Sequence, residues 1–291
     1  MRKILSIILA LTMILGVTLT LASCGERQKA DLSGVTDLSG LEGLIISAQS
    51  GTFHETARQQ IKNVKGQIYP DFDSMLVALK SNGIDGYIAE EPTAIAVCAK
   101  DPALAYIHLK NNSTGFTASV EDTAIAIGMK KGSALKARIN EVLATISEET
   151  RSALMQQMAQ LGAGKEIGDI VLSNDTPATT SGKLKVAMEC AYDPFNWTQR
   201  DASNGAVKIS GEGKEGLYAN GYDVQIAKYV ANALGLELEI YSEKWDSLVP
   251  GVESGKYDAI VAGMSPTAER LEKIDFSDIY YSSNLVIIYK K

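Results

Sequence analysis

From residue 44 onward, short apolar runs alternate with amphipathic stretches. Residues 44–48 (Leu-Ile-Ile-Ser-Ala) read as a buried strand, followed by a turn at 49–52 and a helix through 54–61. A strand at 66–69, an amphipathic helix at 72–81, a strand at 83–89 and a helix at 92–99 come next, and apolar runs at 106–109 and 123–128 complete the strands of a first array. Residues 133–161 place Leu135, Ile139, Val142, Leu143, Ile146, Leu154, Met155 and Met158 at helical spacing, interrupted near Ser147. This predicts two consecutive helices with one buried face. The stretch 174–182 (Asn-Asp-Thr-Pro-Ala-Thr-Thr-Ser-Gly) is a linker by composition. A second array follows, with strands at 184–188, 236–241, 257–261 and 285–289 and helices at 224–234 and 245–254. Strands alternating with helices over short connections predict a mostly parallel sheet covered on both faces.

The extreme N-terminus breaks this pattern. Met1-Arg2-Lys3 precedes an apolar run at 4–21, which leads into Leu21-Ala22-Ser23-Cys24. A basic start, an apolar middle and small residues before a Cys resemble a bacterial lipoprotein export signal, residues 1–24, in which Cys24 becomes the lipidated first residue of the mature chain. A retained transmembrane anchor is the competing reading, because the run approaches the length that crosses a bilayer. Either way the rest of the chain is expected outside the cytoplasm, beginning with a polar tether at 25–36.

Composition narrows the function. A net charge of −7 with scattered Lys and Arg excludes a basic stripe for nucleic acid. The chain has two His and three Cys, with no CxxC, HExxH or His-rich tract, so no metal site or cofactor is expected. With Cys24 acylated, only Cys98 and Cys190 remain to pair in an oxidising compartment, and both are expected to be free. A mature chain of about 265 residues suffices for two lobes of common domain size.

The most informative run is 255–281. After the apolar strand, Ala262-Gly263 lets a backbone approach closely, and Ser265 and Arg270 supply a hydroxyl and a guanidinium beyond the strand end. Arg grips a carboxylate through two parallel charge-assisted bonds, and free N–H groups at a strand-to-helix turn add donors. This segment closely resembles the ligand loop of the extracellular solute-binding proteins of family 3, the amino-acid receptors of ABC importers. The resemblance implies a two-lobed α/β fold of the periplasmic-binding-protein type (type II). It covers most of the mature chain with the lobes in reversed order. Residues 183–291 look like the family's first lobe and 37–130 like its second, with 131–165 a helical segment near the hinge and 166–182 the linker. Such an order is what a circular permutation opened at one hinge strand leaves. A domain-swapped or fragmentary arrangement is its rival.

The same resemblance implies the site. Glu189 and Tyr192, just after strand 184–188, and Trp245 match an acidic group and two aromatics that would clamp a side chain between apolar faces, with cation–π attraction for a cationic group. Ala262, Gly263, Ser265 and Arg270 would hold the α-carboxylate, with Met264 lining the slot. From the other lobe Gly51 and Thr52 would offer free N–H groups. Glu90 matches the acidic residue that pairs with the α-ammonium, with Glu91 as the alternative by one register step. His54 stands where the family often has a ligand-reaching polar residue; a solvated helix position is the other reading.

Binding without turnover is therefore expected. The implied protein is a lipid-anchored receptor on the outer face of the cytoplasmic membrane, which captures a free amino acid and delivers it to an ABC permease. Glu189 beside two aromatics favours a basic or amide-bearing ligand and repels an acidic one. A sensory module acting in trans and a dehydratase or lyase on the same fold are the rival classes; the latter needs a titratable group aimed at a reacting bond.

Overall fold

The computed structural model of the protein describes residues 29–174 and 180–291. The export segment with Cys24 and part of the linker lie outside the described residues. Asp31–Lys291 form one compact unit built on two sheets.

The smaller sheet has the strand order Ile46–Ser47, Gly86–Glu90, Leu285–Lys290, Leu104–His108. Its first pair is parallel, and Leu285–Lys290 runs antiparallel to both neighbours, with Leu285 opposite Glu90 and Tyr289 opposite Gly86. The larger sheet centres on parallel strands Ala259–Ile260, Lys183–Met188, Glu237–Ser242 and Val207–Ser210. On one flank Ala124–Lys130 and Ile274–Ser282 join antiparallel. On the other lies an antiparallel meander of Tyr218–Asn220, Asn196–Gln199 and Ala191–Tyr192. Together they make the two-lobed α/β architecture implied by the resemblance.

Most expected elements are present within a few residues. The interruption near Ser147 is a helix boundary. Leu135–Leu143 ends there, and Ser147 caps Glu148–Gly162 by accepting from Thr150 N at 3.1 Å. The expected helix at 54–61 is shorter, Phe53–Arg58. The expected strand at 66–69 is reduced to isolated bridges from Ile45 to Lys65 and from Gln49 to Tyr69. The expectation of a mostly parallel sheet missed the meander and the long strand Ile274–Ser282, whose mixed polar and apolar residues carry no clean period.

Two strands lie in the sheet opposite to the one expected. Ala124–Lys130 follows the elements of the small lobe in sequence, yet it pairs in the large sheet. Leu285–Lys290 follows those of the large lobe and fills the middle of the small sheet. Its unbroken apolar run Leu285-Val286-Ile287-Ile288-Tyr289 is buried throughout, which suits a strand with neighbours on both edges and cover on both faces. The chain thus crosses between lobes at 123–124 and at 283–284, and the crossings touch: Ser283 N donates to Thr123 O at 3.3 Å. Helix Glu148–Gly162 spans the junction, packing on Glu91–Lys100 of the small lobe and Tyr222–Ala233 of the large one.

Candidate functional site

After strand Ala259–Ile260 the backbone turns at Gly263, with φ 62°, and runs past Ser265 into the short helix Ala268–Lys273. A Cβ at Gly263 would stand 2.9 Å from Tyr192 Cε1, so both the left-handed backbone and the covering ring require glycine. Arg270, on the short helix, donates from Nη1 to Ser265 O at 2.9 Å and reaches from Nη2 across the lobes to Gly51 O at 2.7 Å. Its guanidinium lies 5.2 Å from the Trp245 ring centre, within cation–π range. Trp245 Nε1 also donates to Gly51 O, at 3.4 Å. Burial lowers the Arg270 pKa to about 10, which leaves the group cationic at neutral pH.

Gly51 meets the large lobe with its carbonyl and not with the expected free N–H group. Gly51 N donates to Glu55 Oε2 at 3.1 Å, and Thr52 Oγ1 donates to Gln49 O at 2.8 Å. The positive φ of Gly51, 67°, turns its carbonyl toward Arg270 and Trp245, while Glu55 in the first helical turn takes its N–H.

His54 and Glu90 are both buried and lie 2.9 Å apart, Nε2 to Oε1. His54 is therefore no solvated helix residue. Glu90 Oε2 and His54 Nδ1 are buried without a hydrogen-bond partner, so the pair has one acceptor and one ring nitrogen to spare inside the cleft. Glu91 is more exposed and sits 3.5 Å from His108 Nε2, away from this pair.

Glu189 crosses the lobes to Gln49, whose Nε2 lies 3.2 Å from each carboxylate oxygen. Burial pushes the Glu189 carboxyl up to about 7; the Gln49 bond opposes this, and Asp71, Asp246 and Asp73 add to it. Glu189 itself lines neither the outer cleft nor the inner cavity described below.

Tyr192 and Trp245 both line the inner cavity, as the expected clamp requires, but each ring already has another partner. Tyr192 stacks instead on Phe72 of the small lobe, with centroids 4.3 Å apart and planes 9° from parallel, and on Phe195 at 4.9 Å. Its hydroxyl is buried and unpaired. Trp245 faces Arg270. The sequence shows Phe72 only as the first apolar residue of an amphipathic helix, because a partner across two lobes leaves no trace in local spacing. Gln49 and Asp122 line the cleft as well. Gln49 was visible only as a neighbour of the Gly51-Thr52 turn.

The remaining loop positions divide. Met264 lines the outer cleft, and its carbonyl accepts from Ala126 N at 3.0 Å, which ties the loop to a crossing strand. Ser265 lines the inner cavity. Ala262 is buried behind the turn and lines neither.

An outer cleft of about 810 Å³ opens between Gly51, Thr52, Glu55, Trp245 and Arg270. The inner cavity bounded by Gln49, His54, Glu90, Tyr192, Ser265 and Arg270 measures only about 10 Å³, room for one water at most. Anything larger enters that space only if Phe72 parts from Tyr192 and Gly51 from Arg270. The Arg270 guanidinium and the buried Glu90 carboxyl put opposite charges on its walls.

Residues 184–291 match the sequence model of the bacterial extracellular solute-binding proteins, family 3. The chain is 35% identical over 113 residues to the arginine-binding extracellular protein ArtP of Bacillus subtilis (strain 168), which covers 38% of each chain. It is 33% identical over 110 residues to the L-cystine-binding protein TcyA of the same organism, covering 38% of this chain and 35% of that one. These alignments therefore span well under half the length of either relative. Among solved structures, the arginine-bound form of domain 1 from TmArgBP is 28% identical, covering 38% of this chain and 80% of that one, with a TM-score of 0.27.

Proposed function

Residues 184–291 are a family 3 solute-binding segment, and from that premise we propose that the whole chain binds a free amino acid between its lobes and serves as the receptor of an ABC importer. One observation carries this reading. Arg270 reaches from the large lobe to the Gly51 carbonyl of the small lobe, beside a buried Glu90 with an unpaired oxygen. A ligand carboxylate that displaced the Gly51 carbonyl would gain Arg270, and its α-ammonium would gain the free oxygen of Glu90. Binding both ends requires both lobes, so capture is coupled to closure about the crossings at 123–124 and 283–284.

The side chain of the ligand would lie toward Glu189, with Asp71, Asp73 and Asp246 close enough to add to its field. That field favours a cationic or amide-bearing side chain, in keeping with the arginine-binding relative. The function we infer is binding without turnover, and export with lipid attachment through Cys24 belongs to the same reading. The strand exchange between sheets supports a circularly permuted order in which one chain closes its own cleft.

Calorimetric titration of the protein lacking its first 24 residues against the common amino acids tests the proposal. One amino acid bound per chain is the expected result, with basic or amide-bearing ligands preferred. Heat from none of them overturns it.

A further inference from the structure

The buried carboxylate of Asp223 lies outside the cleft, yet it anchors the loop that brings Glu189 and Tyr192 to the large-lobe half of the site. Asp223 is fully buried near the start of helix Tyr222–Ala233. Its Oδ1 accepts from Tyr280 Oη at 2.6 Å, and its Oδ2 accepts from Asn196 Nδ2 at 2.8 Å. Asn196 passes the link onward, because its Oδ1 accepts from Cys190 N at 2.8 Å, next to Glu189.

The backbone reinforces the same junction. Tyr222 N donates to Pro194 O at 3.0 Å and Asp223 N to Phe195 O at 2.8 Å. Tyr222 Oη donates to Tyr280 O at 3.0 Å, which braces the strand that supplies Tyr280. The loop carrying Glu189 and Tyr192 is thus anchored at Asp223, and it meets the turn carrying Gly263 where the Tyr192 ring covers that glycine.

A buried carboxyl without a cationic partner is a poor source of stability, since a shape-matched apolar group avoids the desolvation penalty. Burial pushes this carboxyl up to about 7, against the hydrogen bonds from Tyr280 and Asn196 that favour its charged form. A geometric role accounts for the arrangement. An acceptor with two oxygens can hold donors from two different segments, Asn196 and Tyr280, in one fixed relation, which an apolar side chain cannot do.

We infer that Asp223 is a positioning residue for ligand recognition, which fixes the Glu189–Tyr192 loop through Asn196 and so sets the Tyr192 ring over the Gly263 turn. The inference rests on the reading of those two loops as parts of the ligand site, and it has a readout that needs no ligand.

The experiment compares Asp223→Asn and Asn196→Ala with the unaltered protein by amide hydrogen exchange and by titration with L-arginine. Asp223→Asn replaces one acceptor by a donor and should speed exchange about tenfold or more at Cys190, with strand Lys183–Met188 unchanged. Asn196→Ala removes the acceptor of that amide directly and should do the same. Arginine affinity should fall about tenfold or more in Asp223→Asn. Equal acceleration at every amide in Asn196→Ala, or unchanged exchange at Cys190 in a folded Asp223→Asn, overturns the inference. If Asp223→Asn does not fold, selective loosening at Cys190 in Asn196→Ala, with weakened arginine binding, upholds it. Absence of arginine binding by the unaltered protein counts against the ligand assignment alone, while the exchange pattern still decides the role of Asp223.

Discussion

Tyr192 of the large lobe lies flat on Phe72 of the small lobe, with ring centroids 4.3 Å apart and planes within 9° of parallel. The stack bridges the two lobes, and both rings line the inner cavity. An aromatic pair of this kind contributes about 0.5–1.5 kcal/mol beyond its buried area. Truncation by Phe72→Ala should therefore shift the lobes toward an open arrangement. Small-angle scattering should show a larger radius of gyration for the variant without added amino acid, and both proteins should compact to the same value with saturating ligand. An unchanged radius would mean that the stack does not govern closure.

Arg270→Ala should remove most of the affinity. A largely desolvated charge pair truncated on one side loses about 2–5 kcal/mol, or roughly thirtyfold and upward in Kd. Arg270→Lys should restore little, because a point charge lacks the fork that matches a carboxylate and stacks more weakly on Trp245. Titration calorimetry decides this, and affinity within about threefold of the unaltered protein rejects the carboxylate assignment.

Glu90→Gln should weaken binding through loss of the ammonium partner, whereas Glu91→Gln should change it little. The geometry separates the neighbours: Glu90 is buried against His54, and Glu91 points to the half-exposed His108. A larger loss from Glu91→Gln would move the site by one residue.

Glu189 makes binding and stability depend on pH in opposite senses. Its carboxyl rises from the ordinary 4.5 to about 7 in the folded chain, so the stability it contributes is present below about 4.5 and is lost as pH rises through about 7. Thermal unfolding should thus show stability declining over that range, and Glu189→Gln should flatten the decline. A cationic ligand favours the ionised carboxyl, so affinity should increase over the same window with release of a proton. Titrations in buffers of different ionisation enthalpy measure that proton, and affinity independent of pH would place the ligand's charge elsewhere.

Cys24→Ala should abolish incorporation of a clickable fatty acid in cells, and the protein lacking residues 1–24 should be a monomer that binds one ligand per chain. A dimer that loses binding on dissociation would mean that the lobes are shared between chains.

The reach of the sequence ends where partners lie in different lobes. Local period and turn chemistry sufficed for most helices and strands, for the break at Ser147 and for the loop with Gly263, Ser265 and Arg270, since these features depend on neighbours a few residues away. The same spacing could not say which sheet takes Ala124–Lys130 or Leu285–Lys290, because an apolar run fits any buried slot and only pairing selects one. It placed Tyr192 opposite Trp245, while the fold sets Tyr192 on Phe72 and Trp245 on Arg270. It offered the N–H of Gly51, where backbone rotation presents the carbonyl. Asp223, Asn196 and Gln49 went unnoticed, since their roles arise from contacts across long stretches of chain. The sequence by itself determined the kinds of element and the chemistry of the principal ligand loop. Tertiary structure alone decided which groups face each other across the cleft, because burial and hydrogen-bond geometry act between segments that local patterning does not connect.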